Sequence, residues 1–177
     1  MTSVQTAHTS DLDATVLAAA RALLEDVFAG GWDEHDWEHS LGGVHALVWE
    51  GDDLVGHGSV VQRRLLHGGR ALRAGYVEGV AVRADRRRRG HAAAIMDALG
   101  RVVRGAYELG ALSASDAGAG LYLSRGWKLW QGPSSALTPA GINRTEKENG
   151  AIYVLLGEAP LDLAGELTCD WRDGDVW

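Results

Sequence analysis

The sequence is poor in cysteine and in long apolar runs, and both shortages narrow the classes of protein it can represent. One cysteine among 177 residues, Cys169, excludes an internal disulfide and favours a reducing compartment. No apolar run approaches the ~20 residues that a membrane-spanning helix needs, and the first residues lack the charged start and apolar centre of a signal peptide. We therefore expect a cytoplasmic protein with no membrane partner.

Net positive charge is also missing. The chain has 17 Lys and Arg against 24 Asp and Glu, a net charge of −7, which argues against a nucleic-acid partner. The positive charge that exists is concentrated in one block of four arginines, 86–89. A non-catalytic binder that holds nucleic acid or a phosphorylated ligand through this block is an alternative that the net acidity counts against.

The hydrophobic pattern predicts one domain over residues 1–177, with no internal repeat and no linker. Apolar residues at helical spacing predict helices over 11–28, with Ser10 and Asp13 as a capping pattern, and over 33–40, 90–107 and 117–125. Strands are predicted over 44–50, 54–66, 71–82, 111–114, 128–137 and 151–156, with a loop over 138–150 and an extended piece over 166–171. The fold class is α+β (mixed α/β): a central mixed, mostly antiparallel sheet flanked by helices, with 111–114 parallel to the strand before its crossover helix.

The segment from Arg87 to Ala92 follows a buried strand and opens a helix, and it fits the pattern Arg/Gln-x-x-Gly-x-Gly/Ala. Gly90 and the small Ala92 let backbone approach a pyrophosphate, while helix N-terminal amides and arginines attract its charge. A solvated surface loop is the alternative for such a short motif. The dinucleotide fingerprint and the P-loop motif are both absent from the sequence.

Glu78 lies in an otherwise apolar strand directly before this turn. A carboxylate in such a strand faces either a cleft, where it can accept a proton, or an ion-pair partner. A carboxyl of ordinary pKa ~4.3 is a poor base for an ammonium group, because the two pKa values differ by ~4 units, about 5 kcal/mol. We therefore predict that Glu78 acts as base through water. A structural ion pair with Arg73 or Arg83 is the alternative.

The histidines invite a metal hypothesis, because His35 and His39 are spaced i, i+4. The sequence places no third ligand, so a solvated helix face is the better account and no metal is expected. His57, in a predicted strand, is interpreted as structural.

Two motifs in the right order resemble the GNAT acetyltransferase superfamily. One is the Arg87–Ala92 turn, and the other is the segment 121–127 (LYLSRGW), which looks like the superfamily's Tyr-x-x-x-Gly-Phe/Trp. The resemblance implies that acetyl-CoA is the donor and that Tyr122 lies near the CoA sulfur. Protonation of a thiolate of pKa ~8.5 by a phenol of pKa ~10 is about 2 kcal/mol uphill, which makes Tyr122 a tolerable acid. The alternative is that Tyr122 is a core residue on a helix face with no catalytic role.

Further segments resemble the aminoglycoside 2′-N-acetyltransferases over nearly the whole chain. They are 36–39 (DWEH) with Gly42 and Gly43, 62–65 (QRRL), 75–85 (GYVEGVAVRAD), 124–127 (SRGW), and the tail 169–172 (CDWR) with 174–177 (GDVW).

The resemblance implies a role for each matched position. The backbone of Val80, Ala81 and Val82 would hold the acetyl-pantetheine arm, and Arg87, Arg88, Arg89, Gly90, His91 and Ala92 the pyrophosphate. The aminoglycoside pocket would be lined by Asp36, Glu78, Gly79, Ser113, Glu148, Asp175 and Trp177. The Trp177 carboxylate would lie close to the reacting amine, so Glu78, Tyr122 and Trp177 are the expected catalytic residues. Direct transfer in a ternary complex is expected, since no activated Ser or Cys is visible.

The sequence departs from the family pattern at Gly31, where an aspartate is expected and Asp33 could substitute, and at Lys147, where an acid is expected. Trp171 and Trp177 are equally compatible with stacking on sugar rings and with burial. The resemblance also implies a homodimer. A GNAT enzyme that acetylates another polyamine or a peptide amine is the alternative within the superfamily.

Overall fold

The computed structural model describes residues 1–158 and 160–177, and its strands outnumber its α-helices among those residues. The described helices are α1 (Ala14–Val27), α2 (Glu34–His39), α3 (His91–Ala106) and α4 (Ala119–Leu123). The described strands are β1 (Thr2–His8), β2 (Val44–Glu50), β3 (Asp53–His67), β4 (Arg70–Val82), β5 (Leu109–Ser113), β6 (Lys128–Leu129), β7 (Ser134–Thr138), β8 (Gly141–Arg144), β9 (Ile152–Leu156) and β10 (Leu167–Cys169).

The chain divides into two compact units, one made of residues 1–61 and 77–102, the other of 62–76 and 103–177. In the first unit, β1 pairs antiparallel with β2 and β2 pairs antiparallel with β3. Its core contains Leu23, Leu24, Trp37 and Leu47. The helix α3 packs closely on β3, because a Cβ at Gly58 would lie 2.6 Å from Ile95 Cγ2.

The strand order that includes the second unit is β6-β9-β5-β4-β3-β10-β7-β8, and of β3 and β4 that unit contributes only residues 62–67 and 70–76. The pairs β4–β5 and β10–β7 are parallel, whereas β5–β9, β6–β9, β10–β3 and β7–β8 are antiparallel. This mixed arrangement confirms the α+β class and the parallel placement of β5 beside β4. The prediction of one domain over 1–177 stays a prediction.

The N-terminal segment corrects the sequence-based prediction. Residues 2–8 form β1, which was not predicted because its side chains are polar and nearly all exposed. The first helix begins at Ala14 instead of residue 11, because the Asp13 carboxylate accepts the Val16 N–H and Asp13 is therefore the N-cap.

The region 128–150 differs from the sequence-based prediction in two further places. The predicted strand 128–137 is two strands, because the Gln131 and Gly132 amides bond to Leu163 O, at 3.0 and 2.8 Å, instead of continuing the strand. The predicted loop contains β8, an exposed polar strand that pairs with β7 in a hairpin closed by Gly141.

Candidate functional site

The turn that joins β4 to α3 combines unusual backbone with open space. Gly90 has φ +86°, and a Cβ built on it would meet no atom within 4 Å, so conformation requires glycine here while the space above it stays open. Arg88 has φ +61°, a conformation that costs a non-glycine residue roughly 1–2 kcal/mol. The ladder of α3 begins with the Ala94 N–H to Gly90 O bond of 2.9 Å, so the amides of His91 and Ala92 precede it.

Glu50, at the end of β2, binds two side chains of this turn. Its carboxylate accepts from Arg86 Nε and from His91 Nε2, each at 2.9 Å, and Arg89 Nη1 lies 3.7 Å away. Desolvation opposes ionisation, but the His91 hydrogen bond and the arginine charges hold the Glu50 pKa below its ordinary value. Sequence analysis missed Glu50, because nothing in the pattern links it to a residue 41 positions away.

The arginine block 86–89 therefore contains arginines that form ion pairs and arginines that do not. Arg86 also donates to Asp85 at 2.6 Å, and Arg83 donates to the same carboxylate at 2.7 Å, which lowers the Asp85 pKa. In the part of the chain that the structure describes, Arg87 and Arg88 form no ion pair, and Arg87 Nε donates only to Val82 O. Open space, the first amides of the helix and two guanidinium groups outside ion pairs fit a pyrophosphate.

The next group in the first unit lies in β4. Glu78, Gly79 and Val80 are half-buried, and Gly79 has φ +55°. A Cβ at Gly79 would lie 3.1 Å from Ser40 Oγ, so space and conformation both select glycine. Of the two arginines considered as partners of Glu78, Arg83 pairs with Asp85, and Arg73 Nε donates to the Ala106 carbonyl oxygen at 2.9 Å.

Asp36, expected to bind substrate, also has a structural role. One of its carboxylate oxygens accepts the Asp33 N–H at 2.9 Å, and Asp33 in turn accepts from the Asp36 amide, which closes the capping box of α2. The Asp33 carboxylate is thus committed to the start of the helix.

In the second unit, Tyr122 of α4 is buried at 9% exposure beside two other aromatic rings. Ring centroids lie 6.3 Å away at Trp127 and 6.0 Å away at Tyr153. Burial raises the pKa of the Tyr122 phenol, so it stays protonated at neutral pH.

Two predicted substrate residues of this unit come together. Ser113 Oγ, at the end of β5, lies 3.4 Å from Glu148 Oε2, which belongs to a 3-10 turn over Glu146–Glu148. Lys147 Nζ lies 3.8 Å from the other oxygen of Glu148, so the departure from the family pattern places a cation beside this carboxylate.

The tail of the second unit is docked by its side chains. Trp177 is 4% exposed, and its indole Nε1 donates to Thr145 Oγ1 at 2.9 Å, while its amide donates to Asp175 Oδ1 at 3.3 Å. Trp171, by contrast, is 48% exposed. Burial is therefore the better account of the Trp177 ring, whereas Trp171 remains available for contact.

Arg63 and Asp170 anchor this tail, and sequence analysis missed the pair. Arg63 Nε donates to Asp170 Oδ1 at 2.7 Å, and the Arg63 guanidinium lies 4.7 Å from the centroid of the Tyr76 ring. Desolvation raises the pKa of the adjacent buried Cys169 to about 11, so its thiol is not a nucleophile at neutral pH.

The first unit contains Asp36, Glu78, Gly79, the strand end 80–82 and the turn 87–92; the second contains Ser113, Tyr122, Glu148, Asp175 and Trp177. Among the described residues, no group of three or more His, Cys, Asp or Glu side chains is arranged to hold a metal ion. No helix in the described ranges is long and apolar enough to cross a membrane.

Comparison with known proteins adds independent findings. A family model described as "Acetyltransferase (GNAT) domain" matches residues 5–130. An "Aminoglycoside 2'-N-acetyltransferase" of Mycolicibacterium fortuitum is 54% identical over 174 residues, which cover 96% of this chain and 89% of that protein.

Solved structures show the same fold at lower identity. Escherichia coli ElaA aligns with a TM-score of 0.63 at 18% identity, over 88% of this chain and 99% of that one. Eis1 of Mycobacterium abscessus aligns with a TM-score of 0.62 at 18% identity, over 76% of this chain. This chain spans only 33% of the Eis1 chain.

Proposed function

The chain belongs to the aminoglycoside 2′-N-acetyltransferase family of the GNAT superfamily, and from this premise we propose that it acetylates the 2′-amino group of aminoglycoside antibiotics. Acetyl-CoA supplies the acetyl thioester. The observation that carries the proposal is the high identity to the Mycolicibacterium relative along nearly the whole chain, and the Gly90 turn agrees with it.

The turn's proposed task is to hold the pyrophosphate. The amides of His91 and Ala92, the guanidinium groups of Arg87 and Arg88, and the open space above Gly90 support this role. Arg86 would act indirectly, because Glu50 and Asp85 already bind it.

The proposed proton path begins at Glu78, which accepts the ammonium proton through water. Tyr122 donates to the departing thiolate, and its raised pKa keeps it in the donating form. Transfer is direct, because a buried Cys169 thiol of pKa about 11 offers no thiolate for an acetyl-enzyme.

The substrate is a polycation, and the proposed contacts are mainly carboxylates. Asp36, Glu148 and Asp175 would bind its ammonium groups, and Ser113 would bind through its hydroxyl. We also propose that the enzyme is a cytoplasmic homodimer; a molecular mass measured by light scattering would test the dimer.

The decisive assay compares aminoglycosides by their 2′ substituent. We expect acetyl transfer to gentamicin, tobramycin and kanamycin B, which carry a 2′-amine, and none to amikacin, which carries a 2′-hydroxyl. Equal rates on amikacin, or activity only on polyamines and peptide amines, would reject the proposal.

The role of Tyr122 has its own test. Tyr122→Phe removes the phenolic proton and should lower kcat about 100-fold, the usual scale of general acid catalysis. Tyr107→Phe is the control, because burial also raises the pKa of Tyr107 and no catalytic role is assigned to it. A Tyr122→Phe enzyme with wild-type kcat would show that another group protonates the thiolate.

A further inference from the structure

Two histidines with no role in the mechanism above form a buried hydrogen-bonded line in the first unit. His45 on β2 and His57 on β3 are both 0% exposed. Thr9 Oγ1 lies 2.8 Å from His45 Nε2, His45 Nδ1 lies 2.9 Å from His57 Nε2, and His57 Nδ1 lies 2.9 Å from the Gly79 carbonyl oxygen.

The far end of this line fixes the direction of every bond. A carbonyl only accepts, so His57 carries its proton on Nδ1 and its Nε2 accepts from His45 Nδ1–H. The remaining nitrogen, His45 Nε2, accepts the Thr9 hydroxyl proton, because it lies 2.8 Å from Thr9 Oγ1 and the competing Gly43 carbonyl oxygen lies 3.2 Å away. Thr9 Oγ1 itself accepts the Gly42 N–H at 2.9 Å. Both rings are thereby locked in the Nδ1–H tautomer.

The rings are neutral as well as locked. Burial lowers the pKa of His45 and of His57 to about 4. At neutral pH the line therefore contains no charge and donates one hydrogen bond to Gly79.

Gly79 is the place where such a bond matters. Its φ of +55° departs from extended strand geometry, so its carbonyl needs a partner other than the regular ladder. The Gly79 backbone and the adjacent Glu78 are the groups of β4 proposed to face the amine.

We propose that His57, supported by His45 and Thr9, is a positioning residue that fixes the Gly79 backbone, and with it Glu78, for acetyl transfer. The inference rests on the proposed function. It differs from a purely structural role, because deletion of the bond to Gly79 must lower kcat more than loss of stability alone explains.

Two variants separate the bonds that His57 makes. His57→Asn places an amide nitrogen near the Nδ1 position and keeps the bond to the Gly79 carbonyl oxygen. His57→Gln instead places its amide oxygen near the Nε2 position, where it can still accept from His45 Nδ1–H, and loses the bond to Gly79. We expect kcat of His57→Gln to fall about tenfold or more, because small misplacement of a reacting group is costly, and kcat of His57→Asn to stay within about threefold of wild type. Both should lose similar unfolding free energy.

Equal kcat for the two variants would overturn the proposal. A second readout needs no variant: ¹⁵N NMR of the histidine rings of the wild-type protein at neutral pH should show His45 and His57 as neutral Nδ1–H tautomers. An Nε2–H tautomer at His57 would overturn the proposal even if neither variant folds.

The assay of the wild-type enzyme distinguishes failure of the proposed function from failure of the positioning role of His57. A wild-type enzyme that acetylates no 2′-amine refutes the proposed function, and the NMR result then decides the tautomers alone. An active wild type with equal His57 variants refutes the positioning role alone.

Discussion

The turn over residues 83–92 and the tail over 167–177 both carry predicted site residues, yet different interactions hold them in place. The turn is held by ion pairs at or near the surface: Arg83 and Arg86 with Asp85, and Arg86 with Glu50. The tail is held through two buried side chains: Arg63, 5% exposed, pairs with Asp170, which is 36% exposed, and the Trp177 indole bonds to Thr145. Exposed pairs contribute about 0–1 kcal/mol each, whereas removal of one partner of a buried pair costs several.

Because of this difference, we expect changes in the two regions to affect different quantities: affinity for acetyl-CoA in the turn and unfolding free energy in the tail. Changes in the turn should act on acetyl-CoA binding with little effect on folding, because its charges are solvated and its unusual backbone is local. Changes in the tail should act on the unfolding free energy, because Arg63 and Trp177 are buried.

The largest expected effect is in the tail region. Arg63→Ala removes the bonds to Asp170 and the stacking on Tyr76, and should lower the unfolding free energy by about 3 kcal/mol in urea denaturation. Arg64→Ala is the control, because that exposed neighbour contributes its backbone amide, not its side chain, to Asp170. Equal losses in the two variants would show that the tail is not anchored through Arg63.

The second effect is in the turn. Gly90→Val forces a β-branched residue to φ +86° and fills the open space, and should raise the KM for acetyl-CoA about tenfold or more. Gly69→Val carries similar strain at φ +77° in the β3–β4 turn, also with nothing within 4 Å. If both variants changed KM equally, or neither did, the Gly90 turn would not be the pyrophosphate site.

The smallest effect sharpens the account of the tail. Trp177→Phe keeps an aromatic ring but loses the bond to Thr145, and should cost about 1 kcal/mol of unfolding free energy. Trp171→Phe, at a half-exposed position, should stay within about 0.5 kcal/mol of wild type. A larger loss of unfolding free energy for Trp171→Phe than for Trp177→Phe would contradict the conclusion that Trp177 is the buried ring.

Local patterns predicted most of the regular structure. The strands β2, β3 and β4 and the helix α3 lie within one residue of their predicted bounds at each end, because apolar periodicity, the glycine turns and the Gly90 motif specify them locally. The strands β1 and β8 were missed, because their polar, exposed residues carry no such periodicity and form only by pairing with β2 and β7.

Candidate site residues could be named from the sequence where a motif exists, and their distant partners could not; the roles of those residues stay predictions. The turn 87–92, Glu78 and Tyr122 follow from short motifs. Glu50 and the Arg63–Asp170 pair do not, since they join residues 41 and 107 positions apart and only the fold brings them together. The histidine line to Gly79 depends in the same way on strand pairing.

The central claim concerns which nitrogen receives the acetyl group. The most direct measurement is the two-dimensional NMR spectrum of the product made from kanamycin B and ¹³C-labelled acetyl-CoA. We expect one amide whose labelled carbonyl correlates with the proton on the 2′ carbon. A product labelled at any other nitrogen, or at several, would contradict the account.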